Sequence, residues 1–256
     1  DELLSPTLRL ISYRFLHDQV QQAAYEFIPA ARKKQFRLQI GRLLLQNTPP
    51  AEVEERIFDI INQLNFGCDL MVDPAERRQL AQLNLVAGRR AKAATAYLPA
   101  LEYFQMGVEL LDNARERGDE LVFALHFERY ESAYLTSDFA AVERLFDPLL
   151  EQAQQRGDRA RIYNIKLMMY AIQGRHQQAC EMGIAGLRLF DIRLSLHPNK
   201  AVVMRALLGV KYRLLGKKIE DLLHLPDLED TDLRAVISIL YNLTGTSYQV
   251  DLNFFA

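Results

Sequence analysis

A ten-residue phrase recurs with Ala, Arg, Gly and Asp in the same places. ARERGDELVF begins at Ala114 and AQQRGDRARI at Ala153, an offset of 39 residues (153 − 114). Each copy closes one helix-forming stretch, turns at Gly-Asp and opens the next. Gly118 and Gly157 suit the left-handed position after a helix, where any Cβ is penalised. Asp119 and Asp158 suit the N-cap that follows, because a short carboxylate accepts from the free amides of a first turn. A second turn lies inside each copy, in YLTSDFAAVERLF from Tyr134 and YAIQGRHQQACEM from Tyr170. The units therefore run from about Asp119 to Gly157 and from Asp158 to about Phe190. YLPALEYFQMGVELL, from Tyr97, reads as the second helix of an earlier unit. A helical pair of about 40 residues cannot bury its apolar face alone and must stack on its neighbours. The expected fold class is all-α, a right-handed solenoid of helical hairpins.

Only the start departs from helix. LRLISYRFL, Leu8 to Leu16, sets Ile11, Tyr13 and Phe15 against Ser12 and Arg14, the alternation of a half-buried strand. After this strand remnant, Val20, Ala23, Ala24 and Phe27 take helical spacing, and Phe36, Ile40, Leu43 and Leu44 repeat it beyond Pro29. NTPP breaks the chain at Asn47 to Pro50. Val53, Ile57, Ile60, Ile61 and Leu64 share one face of the next helix. Asp73-Pro74 opens another, with Asp73 at the N-cap and Pro74 at the first helical position. Its Leu83, Ala87, Ala91 and Ala94 form a small-residue stripe that lets a neighbouring helix approach closely. Beyond the repeats come a loop at LSLHPNK, a helix through Leu215 and a short one from Lys218 to Leu223. PDLEDTD then leads into a last helix capped by Thr231 or Asp232.

Composition narrows the function. Among 256 residues, 31 basic and 33 acidic side chains leave a net charge of -2, so no basic excess calls for nucleic acid. No apolar run approaches the ~18 residues of a membrane span. Cys68 and Cys180 lie far apart, outside any CxxC spacing, and read as small buried residues of a cytoplasmic protein. No two of His17, His126, His176, His197 and His224 fall three or four apart, so no zinc-binding helix face is expected. GVKYRLLGKK from Gly209 has six residues between its glycines and Lys218 where a phosphate loop needs Ser or Thr. GIAG at Gly183 to Gly186 lies mid-helix and reads as close packing. With no GxSxG, no catalytic residue is expected. The chain begins DELLSP and ends NFFA, which reads as a piece of a longer protein.

His17-Asp18 marks the point where strand passes into helix. On its own residues the pair is a capping box, with Asp18 as N-cap, Gln21 three residues on and His17 an ordinary half-buried histidine. The wider stretch RFLHDQVQQAAYEFIPAARKKQFRLQIGRLLL resembles the close of the winged-helix subdomain in STAND-type AAA ATPases. It is most similar to large signalling proteins that join a serine/threonine-kinase-like region, an ATPase core, a helical array, a GAF domain and a histidine kinase. Phe15, His17, Asp18, Val20, Gln21, Gln22, Ala23, Ala24 and Tyr25 carry the phrase. IFDIINQLN from Ile57 and LAQLNLVAGRRAKAATAY from Leu80 extend the likeness along nearly the whole chain.

The resemblance implies that residues 1–46 are the end of a winged-helix subdomain and 47–256 a TPR-like region. It also implies that His17, with Asp18, senses ADP in the parent protein, since a histidine with a pKa near 6.5 can donate to a phosphate. Leu16-His17-Asp18 also resembles the Met-His-Asp signature of plant resistance proteins, with Leu16 in place of the methionine. No cofactor is expected within this chain, because the P-loop and Walker B strand are absent from it; ATP or ADP belongs to the parent's ATPase core. The expected role is a non-catalytic regulatory and protein-interaction segment of a multidomain signalling ATPase/kinase. Its partners would be adjacent ATPase and output domains or a protein or peptide, with no nucleic acid and no membrane. Glu128, Glu131, Arg161, Asn164 and Lys166, on the inner helices, are the candidate partner contacts. The alternative is the ligand-sensing helical arm of a MalT-like transcription activator.

Overall fold

The computed structural model describes residues 26–111, 118–215 and 228–250. Those residues form ten α-helices and no strand. The predicted strand at Leu8–Leu16 and the His17-Asp18 pair lie outside the described residues. The chain divides into two compact units, residues 1–76 and 77–256.

In the first unit, α1 (Ala30–Asn47) packs on α2 (Ile57–Phe66). Ile57, Ile60, Ile61 and Leu64 are buried along one face of α2, as their spacing predicts. The face of α1 is corrected. Phe36, Ile40 and Leu43 are exposed, and α1 instead buries Leu38 and Gly41. A Cβ on Gly41 would meet the Leu64 side chain at 2.6 Å, so the absence of a side chain there sets the packed face. Lys34–Asp69 at 2.5 Å and a forked Arg42–Glu76 pair at 2.6 and 2.8 Å tie the ends. Asn47 ends α1 where NTPP predicts the break, and the Thr48 hydroxyl donates to the Leu44 carbonyl.

The second unit takes α3 (Pro74–Ala93) from Arg77 onward, with α4 (Tyr97–Leu111), α5 (Glu120–Leu135), α6 (Phe139–Gln152), α7 (Arg156–Ile172), α8 (His176–Arg188), α9 (Lys200–Leu214) and α10 (Thr231–Val250). Asp73 accepts from the Ala75 amide and α3 starts at Pro74, as the Asp-Pro pair predicts. Ala87 and Ala91 are buried, while Leu83 is half-buried and Ala94 exposed. Gly88 makes the close approach: a Cβ there would lie 2.3 Å from the buried Phe104 ring of α4. GIAG packs as closely as expected, with Gly183 against Leu243 and Leu167, and Gly186 against Ile239. One apolar core runs through α5, α6, α7, α8 and α10, including Tyr130, Phe146, Ile162, Leu167, Leu187 and Ile239.

The two copies of the repeat turn differently. Gly118 has φ +95°, and Asp119 caps α5 by accepting from the Leu121 and Val122 amides, as expected. In the second copy α7 already begins at Arg156, so Gly157 and Asp158 lie inside its first turn and extended Gln155 precedes it. Ala153, extended after α6, is buried. Asp158 still faces the positive helix end and pairs with Arg161 at 3.4 Å. The last cap also shifts by a residue. Asp230, rather than Thr231 or Asp232, accepts from the Asp232 and Leu233 amides, and the Asp232 carboxylate pairs with Arg156 at 2.6 Å.

Candidate partner-contact surface

The first helices of the predicted hairpins, α5 and α7, carry all five candidate contact residues, and the structure joins each to a neighbouring helix or ring. Glu128 of α5 accepts from Arg89 Nε of α3 at 2.7 Å and from Lys92 Nζ. Glu131 accepts from the same ammonium at 2.5 Å. Glu128 is buried and Lys92 largely so, at 8% and 22% side-chain exposure. Burial alone would lower the Lys92 pKa, but the hydrogen bonds and charges of Glu128 and Glu131 outweigh it and raise the value.

Lys166 of α7 is equally committed. Its ammonium lies 2.9 Å from Glu143 of α6 and 3.8 Å from the Phe146 ring centroid. Arg175, at the start of α8, reaches the same Glu143 at 3.5 Å and covers the Tyr170 ring at 4.1 Å. Desolvation would push the Glu143 carboxyl up, yet the bonds from Lys166 and Tyr170 and the Arg175 charge hold it below the usual carboxylate value. Burial, with the same carboxylate, pushes the Tyr170 phenol up to about 12. This knot holds α6, α7 and the start of α8 together.

Asn164 links α7 to α10: it donates to Ser238 Oγ at 3.1 Å and accepts from Asn242 Nδ2 at 2.9 Å. The Arg161 guanidinium lies 4.0 Å from the Phe127 ring centroid, with half of the side chain in solvent. Cation–π stacking of this kind orients the exposed edge of an arginine without consuming its donors. Arg161 and the partly exposed Glu131 therefore offer charge outward, while Glu128 and Lys166 act inside the fold.

Sequence reasoning missed the partners Arg89, Lys92, Glu143 and Arg175. A signal existed for two of them: Arg89–Glu128 and Lys92–Glu131 are each 39 residues apart, the offset of the repeat itself. No group of three or more His, Cys, Asp or Glu that could hold a metal occurs among the described residues. None of the described helices is long and apolar enough to cross a membrane.

The chain resembles part of a signalling kinase. It is 28% identical over 240 residues, 84% of its length, to hybrid signal transduction histidine kinase G of Dictyostelium discoideum. It spans 7% of that protein's length. The likeness supports a signalling-protein context. No family model matches the chain, and no solved structure does.

Proposed function

We propose that the chain is a non-catalytic regulatory and protein-interaction segment of a multidomain signalling ATPase/kinase, its helical hairpins stacked as a TPR-like array in the cytoplasm. The observation that carries this reading is the extent of the likeness: 84% of the chain aligns with 7% of a histidine kinase, the proportion of an internal module. Helices bridged at the repeat offset favour the same reading, since charged links between successive units keep such an array in register. Arg161 and Glu131 are the outward charges a neighbouring domain or peptide would meet, with Glu128, Asn164 and Lys166 holding their helices in place. In the parent protein, His17 and Asp18 sense the nucleotide of an ATPase core, and the helical region passes that state to output domains. Such coupling requires the region to contact the core differently in its two states.

The test is the nucleotide content of the full-length protein, released by denaturation, for wild type and His17→Ala. Retention of ADP by wild type and its loss from the variant is the expected result. Equal retention by both, or absence of nucleotide from both, returns His17 to a helix-start residue and removes the relay. Arg161→Glu, tested beside them, is expected to change kinase output without changing ADP content.

A further inference from the structure

The region between α9 and α10 carries an inference that the partner-contact reading does not use. From Lys200 to Arg213, no residue of α9 is buried, although Val202, Met204, Leu207 and Val210 are apolar. Val202, Val203 and Ala206 line a cavity of about 560 Å³ and face Leu240 and Leu243 of α10 across it. Leu243 is itself packed into the core beside Gly183, so this wall is firmly held.

The walls from α9 and α10 are mostly apolar, since the Thr244 and Ser247 hydroxyls of α10 donate back to their own helix carbonyls, and the loop before α9 contributes Arg193, Ser195 and His197. Arg193 is a permanent cation, and no carboxylate lines the cavity among the described residues. Asn199 lines it too, and caps α9 by accepting from the Val202 amide. That size, with mostly apolar walls and a few polar groups, is typical of small-molecule sites. An apolar ligand body between the two helices would gain dispersion contacts with both walls.

We propose that this cavity binds a small amphiphilic carboxylate, its apolar body between α9 and α10 and its carboxylate on Arg193. The guanidinium fork matches a carboxylate, and the hydroxyl of Ser195 adds a second donor. A neutral molecule of the same shape would keep the apolar contacts and lose the charged ones.

Isothermal titration of the purified chain with decanoate, and with decanol as its uncharged counterpart, tests this. Wild type is expected to bind decanoate saturably at one site and to prefer it over decanol. Arg193→Gln is expected to weaken decanoate at least about tenfold, the loss of one charge-assisted hydrogen bond, and to leave decanol unchanged. Ala206→Trp and Val203→Trp, which fill the gap, are expected to abolish both while keeping the far-UV spectrum. Methyl NMR of the wild type locates the ligand without any substitution, with shifts expected at Val203 and Leu243. No saturable binding, shifts confined to other methyls, undiminished binding by a folded tryptophan variant, or a carboxylate preference that survives Arg193→Gln would each overturn the proposal.

Discussion

At the scale of single residues, glycine separates contact from freedom. Gly88 stands where a Cβ would lie 2.3 Å from Phe104, a fully buried ring with no room to yield. Gly88→Ala is therefore expected to destabilise the chain by about 1–3 kcal/mol through overpacking. Gly245, inside α10, has nothing within 4 Å of its Cβ position. There alanine relieves only the entropic cost of glycine in a helix, and Gly245→Ala is expected to stabilise by about 0.5–1 kcal/mol. Urea unfolding of the two variants reads opposite signs. Glu143 supplies the pH dependence. Its folded pKa lies below the ordinary 4.5, so its stabilisation is complete above that value and disappears as pH falls through the lower folded value. Glu143→Gln is expected to flatten this acid limb in unfolding curves taken from pH 6 down to pH 3. A parallel loss in wild type and variant would assign the limb to other carboxylates.

At the scale of elements, Lys92 is the least exposed of the cations that join α3 to α5. Lys92→Met leaves buried Glu128 with only the more exposed Arg89, at 54% side-chain exposure, as partner. A loss of about 3 kcal/mol is expected, the usual cost of breaking a buried ion pair from one side. Adding Glu128→Leu should return most of it, because an apolar pair of similar volume avoids the desolvation penalty. A double-mutant cycle by denaturant unfolding measures the coupling directly. Element boundaries show where sequence reading stops. Asp119 and Asp73 act at the helix starts their local chemistry marks. Asp158, in the same Gly-Asp phrase, lies inside a helix because Arg156 already opens α7. On α1 the apolar stripe of Phe36, Ile40 and Leu43 was legible, but Gly41 against Leu64 chose the other face.

At the scale of the whole molecule, burial is uneven within the second unit. α7 and α8 are threaded by fully buried Ile162, Leu167, Met169 and Leu187, whereas α9 has no buried side chain from Lys200 to Arg213. Local opening is cheap where few apolar contacts are lost. Amides of residues 200–213 are thus expected to exchange with deuterium far sooner than those of 160–187, by mass spectrometry. Saturating decanoate should slow exchange in α9 and leave α7 unchanged if the cavity is occupied. Equal protection of α9 and α7 without ligand would mean that α9 is packed as firmly as the core.

What the sequence determined by itself is the all-helical character, most of the breaks and the helix-forming stretches of the 39-residue repeat, because caps, glycines and apolar periodicity act within a few residues. The close packing of GIAG was legible for the same reason: glycine pairs inside a helix have few other uses. The tertiary structure alone decided which charges serve the fold. Glu128 and Lys166 read as free surface on their own helices, and they are buried only because α3 and α6 bring Lys92 and Glu143 to them. Likewise the gap between α9 and α10 has no sequence signature, since its walls are ordinary Val, Ala and Leu positions. Whether such residues touch or stand apart depends on how two distant segments are held, which no local pattern encodes.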